Sequence, residues 1–186
     1  MKRPVLALTV GDPAGVGPEV IVGAWRAIHD VCRPIAVGHP QVLRRAADLL
    51  GTSIDVREIR SVAEAESSPD VLCCLRSGSD DVLDVPPATI DPRAGQAAYD
   101  ALRAATQLAL ADEIDGIVTA PLHKKALWEA GHHYPGHTEM LAEFCGVSDF
   151  AMMLYLPPSA ELLGRAGLGV VHVTLHMALR DVWNHL

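Results

Sequence analysis

Residues 4–20 read PVLALTVGDPAGVGPEV. Pro4–Val10 is an apolar run of strand type, and Gly11–Val20 then packs three glycines, two prolines and an acid near each end into ten residues. A strand that gives way to a helix through such a turn is the opening of a βα unit. Gly15 and Gly17 allow close backbone approach, Pro18 suits the first turn of the helix, and Glu19 suits its N-terminus. Neither familiar phosphate loop fits. Val20 stands where a dinucleotide fingerprint needs its third glycine, and Pro18 follows Gly17 where a P-loop needs lysine. Two readings stand side by side: an anion seat at a helix N-terminus beyond a strand's C-terminal end, or a tight turn that holds no ligand.

Outward from this turn, short apolar runs alternate with longer helical patterns. Strands are predicted over 5–10, 35–38, 54–59, 71–75, 116–119, 150–156 and 168–174, and helices over 17–29, 41–50, 94–111, 124–130 and 138–145. This is an α/β pattern with a substantially parallel sheet. The clearest helix has apolar residues at 94, 98, 101, 105 and 108 on one face, a stripe that reads as core packing. Residues 77–92, rich in Asp, Gly, Ser and Pro, read as an excursion loop. A helical pattern begins at Met177, and the sequence stops at Leu186 without a cap or tail, as expected of a chain cut short.

Composition narrows the class. With 186 residues, 49% apolar and 20% charged, this is a globular composition. The formal net charge is −8 and no Lys/Arg-rich run exceeds pairs such as Arg44–Arg45 and Lys124–Lys125, so no nucleic-acid partner is expected. A phosphorylated small molecule stays compatible with local basic groups. Asp12 and Pro13 cut off the N-terminal apolar run before it forms a signal core, and no stretch reaches the ~20 residues of a membrane span. Cys32, Cys73, Cys74 and Cys145 lack disulfide or metal spacing. The expected location is cytoplasmic.

Six of the nine histidines fall within residues 123–176. His123, before Lys124 and Lys125, sits just after a predicted strand, where a solvated helix start is the plain reading. His132 and His133 read as solvated loop residues. In YPGHTEM (134–140) a Pro–Gly turn sets His137 and Thr138 at a helix N-terminus, where they can contact a phosphate or carboxylate or, for Thr138, simply cap the helix. His172 and His176 share a face if the last strand runs on, and a pair without a third ligand favours a structural role. No Ser/His/Asp motif or nucleophile elbow is present, and no residue is assigned as a general base.

Four stretches together carry a resemblance: TVGDPAGVGPEV, DGIVTAPLHKKAL, YPGHTEM and LHMALRDV. In kind and order they resemble the PdxA family of pyridoxal phosphate biosynthesis, the 4-hydroxythreonine-4-phosphate dehydrogenases. The opening is also similar to the start of isocitrate and isopropylmalate dehydrogenases. The resemblance implies a three-layer α/β sandwich of that type, with two domains and an active-site cleft. Residues 1–120 would form a first domain, completed by an absent C-terminal segment, and 121–186 would begin the second.

The resemblance further implies a dehydrogenase that uses NAD or NADP and a divalent metal (Zn, Mg or Co). Its action would be to oxidise 4-phosphooxy-L-threonine to a 3-keto acid that loses carbon dioxide. His137 and Thr138 fall on the family's substrate-contacting pair, and His176 on its first metal-ligand histidine. Asp12 and Lys124 are expected as polar neighbours of the site. A homodimer with the active site at its interface is implied as well. Family members are nearly twice as long as this chain, with further metal and substrate residues in the other half. The alternatives are a family member for a phosphorylated sugar acid or an aromatic dihydrodiol, and a catalytically incomplete fragment.

Overall fold

Five parallel strands organise the first part of the chain: β1 (Val5–Thr9), β2 (Arg33–Gly38), β3 (Asp55–Ile59), β4 (Val71–Arg76) and β5 (Gly116–Thr119). Their order in the sheet is β3-β4-β2-β1-β5. The computed structural model describes residues 3–159, 166–174 and 177–184. β1 lies between β2, with Val5 opposite Arg33, and β5, with Leu6 opposite Gly116. β2 is buried at every position after Arg33, the near-continuous apolar reading of a parallel strand covered on both faces. Each of the five predicted strands is present within two residues of its expected ends.

Helices α1 (Gly17–Ile28), α2 (Pro40–Leu49) and α3 (Pro92–Leu110) make the crossovers. The steps β1 to β2 and β4 to β5 run in opposite directions across the sheet. Right-handed crossovers therefore put α3 on the face opposite α1 and α2. α1 buries Ile21, Val22 and Trp25; the indole is fully buried and donates Nε1–H to the Ser68 carbonyl at 2.9 Å. The alanine stripe of α3 (94, 98, 101 and 105) is buried, as its spacing predicts. That helix starts two residues earlier than expected, because Asp91 accepts the Arg93 amide at 2.8 Å and Pro92 occupies the first turn. The loop 77–92 is packed rather than free. It contains a 3-10 turn, Asp80–Asp84, whose Val82 joins Val42 and Ala97.

α4 (Lys124–Glu129) and α5 (His137–Cys145) pack against α3. A Cβ on Gly95 would collide with the Ala126 carbonyl, so α4 lies backbone-close on α3. Leu102, Leu127 and Met140 bury one another across α3, α4 and α5. The two helices belong to the compact unit Met1–Cys145.

The second unit, Gly146–Leu186, contains an antiparallel ribbon of β6 (Met153–Leu156) and β7 (Leu168–Val171), and a 3-10 turn at Leu179–Asn184. Both strands are shorter than their apolar runs predict and are exposed at every position. No helix among the described residues is long and apolar enough to cross a membrane.

Candidate functional site

The chain leaves β1 toward β2 by way of α1, and α3 later brings it back to β5 on β1's other side. The C-terminal edge between β1 and β5 is therefore a topological switch point, where open α/β sheets place ligands. Two turns meet there. The Ala120 amide donates to the Thr9 carbonyl at 3.1 Å and the Asp12 amide to the Pro121 carbonyl at 2.9 Å. Gly11 has φ 65°, and a Cβ on it would run into the carbonyls of Ala120 and Pro121, so only glycine fits this approach.

Asp12 staples the opening turn. Its Oδ1 accepts the Ala14 amide at 2.8 Å and its carbonyl accepts the Gly15 amide at 3.0 Å. The carboxyl is 6% exposed, and that burial raises its pKa against the opposing pull of the Ala14 amide and His123. Since the amides of Asp12, Ala14 and Gly15 are engaged within the fold, the turn is a tight strand–helix corner. Its acid faces the next turn through His123.

On the β5 side, His123 is exposed at the start of α4, as its sequence position suggests. Its Nδ1 accepts the Ala126 amide at 3.3 Å and caps α4. Lys125 pairs with Glu129 at 3.7 Å, whereas Lys124 is exposed and has no partner among the described residues. A shallow groove of about 510 Å3 runs from Lys124 and Lys125 past Trp128 to His133, Tyr134 and Pro135. This groove joins Lys124 to the segment that leads into His137 and Thr138.

His137 opens α5 and is half-buried, as is Thr138. Burial lowers the His137 pKa and so favours the neutral imidazole, which donates from one nitrogen and accepts at the other. Met140, fully buried against Leu102 and Leu127, fixes the start of α5.

His132, expected to be solvated, is half-buried: its ring stacks on Tyr99 and its Nε2 meets Gln96 Oε1 at 2.9 Å. It ties the loop before His137 to α3. Nothing in the local sequence signals this, because both partners lie on α3. His172 donates its backbone amide to the Met152 carbonyl at 2.9 Å, just past the end of β7. His176 lies outside the described residues, and among those described no three His, Cys, Asp or Glu side chains come together as metal ligands.

A parallel α/β sheet with a topological switch point is a fold that places its ligands at that edge. The family described as pyridoxal phosphate biosynthetic protein PdxA matches residues 30–186, and the chain belongs to that family. It is 39% identical over 185 residues to 4-hydroxythreonine-4-phosphate dehydrogenase of Trichlorobacter lovleyi, covering 97% of this chain and 52% of the relative. It is 39% identical over 186 residues to D-threonate 4-phosphate dehydrogenase of Salmonella typhimurium, covering 97% of this chain and 53% of the relative. The crystal structure of 4-hydroxythreonine-4-phosphate dehydrogenase from Klebsiella pneumoniae superposes with a TM-score of 0.86 at 38% identity, over 97% of this chain and 54% of that one. The chain thus spans about half the length of the relatives it matches.

Proposed function

We propose that this chain supplies the substrate-orienting part of a dehydrogenase acting on 4-phosphooxy-L-threonine (4-hydroxythreonine 4-phosphate), in pyridoxal phosphate biosynthesis. The secondary alcohol loses a hydride to NAD or NADP and a proton to solvent. The resulting 3-keto acid loses carbon dioxide, leaving 3-amino-2-oxopropyl phosphate. The observation that carries this reading is the half-buried pair His137 and Thr138 at the head of α5, in a chain related to two phosphate-ester dehydrogenases.

In this reading His137 and Thr138 hold the substrate's polar groups by hydrogen bonds, an orientation role. Lys124 draws the anionic substrate toward the switch point. Asp12 holds the opening turn against the turn after β5. The nicotinamide, when bound, accepts the hydride. The described residues do not themselves make a divalent-metal site; a metal enters the proposal through His176 and the family resemblance alone. The isocitrate dehydrogenase-like sandwich, a homodimer with a shared active site and a cytoplasmic location belong to the same proposal.

The name of the Salmonella relative favours a second reading, D-threonate 4-phosphate as substrate. Both substrates carry a phosphate ester and a secondary alcohol; they differ in whether an amine is present. Steady-state nicotinamide reduction by the enzyme containing this chain, measured with each substrate, separates the readings. A kcat/KM higher for 4-phosphooxy-L-threonine supports the first, a higher value for D-threonate 4-phosphate the second, and turnover of neither overturns both.

A further inference from the structure

We propose that the groove beside α4 binds a planar aromatic anion, with the ring against Trp128 and a phosphate on Lys124 and Lys125. Trp128 is 55% exposed, leaving one face of its indole open to a ligand. It lines the groove together with both lysines, His133, Tyr134 and Pro135.

The walls are fixed in place. The Gly131 amide donates to the Trp128 carbonyl at 2.9 Å and the His132 amide to the Leu127 carbonyl at 3.0 Å, closing the end of α4. The His133 ring stands tilted at 57° to Trp128, with centroids 4.8 Å apart, so the indole is buttressed on one side. The Tyr134 phenol is pushed up to about 12, first by the neighbouring Glu143 carboxylate, so the ring presents no phenolate to an anion.

The charge is equally specific. The chain carries a net −8, yet among the described residues the formal charges lining the groove are those of the two lysines. Lys124 has no partner among the described residues, and the exposed 3.7 Å contact of Lys125 with Glu129 is of the weakly held kind. A volume of about 510 Å3 suits one aromatic ring with its phosphate. Aromatic faces stack on planar ligands and ammonium groups pair with phosphate oxygens, so the two halves of the groove select two halves of one ligand.

The ligand has two possible sources, an aromatic ring of the dinucleotide cofactor or a free aromatic phosphate. The site shares Lys124 with the proposed reaction but requires neither His137 nor turnover, so binding of phenyl phosphate is read separately from activity.

Titration of the intact protein with phenyl phosphate, followed by tryptophan fluorescence, tests it. Trp25 is fully buried and Trp183 lies in the second unit, so Trp128→Leu isolates the groove's signal. The expected result is a saturable change that vanishes in Trp128→Leu. In Lys124→Gln the binding should weaken at least about tenfold, with circular dichroism showing both exposed-site variants folded. Inorganic phosphate should leave the signal nearly unchanged. Displacement of phenyl phosphate by NAD assigns the groove to the dinucleotide, and saturable binding without displacement assigns it to a free aromatic phosphate. A non-saturable response, or equal binding by wild type and both variants, overturns the proposal. So does a Trp128 signal that changes with protein concentration alone, since a second copy would then occupy the groove.

Discussion

The imidazole of His132 lies flat on the ring of Tyr99, with centroids 3.6 Å apart and planes 4° apart, while its Nε2 meets Gln96 Oε1 at 2.9 Å. Because the amide oxygen only accepts, the bond places the proton on Nε2. This latch holds the loop between α4 and α5 onto α3.

Removing the latch should cost stability. The stack contributes about 0.5–1.5 kcal/mol and the hydrogen bond about 0.5–1.5 kcal/mol, so His132→Ala should lower unfolding free energy by about 1–3 kcal/mol. Urea denaturation measures it, and a double-mutant cycle with Tyr99→Leu should return a coupling near 1 kcal/mol. Additive single effects would mean that the rings touch without interacting.

Gly11→Ala should be among the most damaging single changes in the chain. The added methyl meets the Pro121 carbonyl, and the backbone sits at φ 65°, which alanine adopts only at a cost of about 1 kcal/mol. Overpacking of this kind adds about 1–3 kcal/mol. Thermal denaturation should show a clear drop, with a smaller one for Gly51→Ala, where φ is 61° but the space beyond is open. Equal drops would show that strain alone, not the contact with the β5 turn, demands glycine.

Acid should destabilise the fold before its carboxylates titrate. His29 is buried with neither ring nitrogen partnered, and burial, then the nearby Arg3, lowers its pKa from 6.5. His132 and His137 are lowered in the same direction, each mainly by burial. Above pH 7 these rings are neutral folded or unfolded and contribute no pH dependence. As pH falls through 6.5 the unfolded chain takes up protons that the folded chain does not, so stability declines down to the folded-state pKa values. Urea midpoints between pH 7.5 and 5.5 should fall, and His29→Leu should flatten the decline. A midpoint that rises over this range contradicts the assignment.

Thiol chemistry should single out Cys145. It is exposed, whereas Cys32, Cys73 and Cys74 are buried, and burial pushes the Cys74 thiol up to about 12. A thiol-reactive chromophore should label one cysteine per folded chain quickly and all four after denaturation, with the fast phase absent in Cys145→Ser. Rapid labelling of more than one thiol in the folded chain would contradict the burial of the β4 pair.

The sheet was legible because parallel strands buried on both faces are written as apolar runs, β2 most plainly. The alanine stripe of α3 was legible for the same reason. The packing of α4 and α5 on α3 was not, because the contact of Leu127 and Met140 with Leu102 joins distant segments and leaves no local mark. Within the candidate site, His137 and Thr138 stood out by their place after Pro135–Gly136. His132 did not, since its partner Gln96 is 36 residues away. His123 and His39 cap helices through Nδ1, a role that sequence reading assigns first to Ser, Thr, Asp and Asn.

The central claim is that His137 and Thr138 hold the phosphorylated substrate. Calorimetric titration of 4-phosphooxy-L-threonine into the protein, wild type and the His137→Ala and Thr138→Ala variants, tests it most directly. Loss of a hydrogen bond to a charged ligand is worth about 1.5–3 kcal/mol, so each variant should bind at least about tenfold more weakly while keeping its fold. Binding of unchanged affinity in both variants would contradict the account.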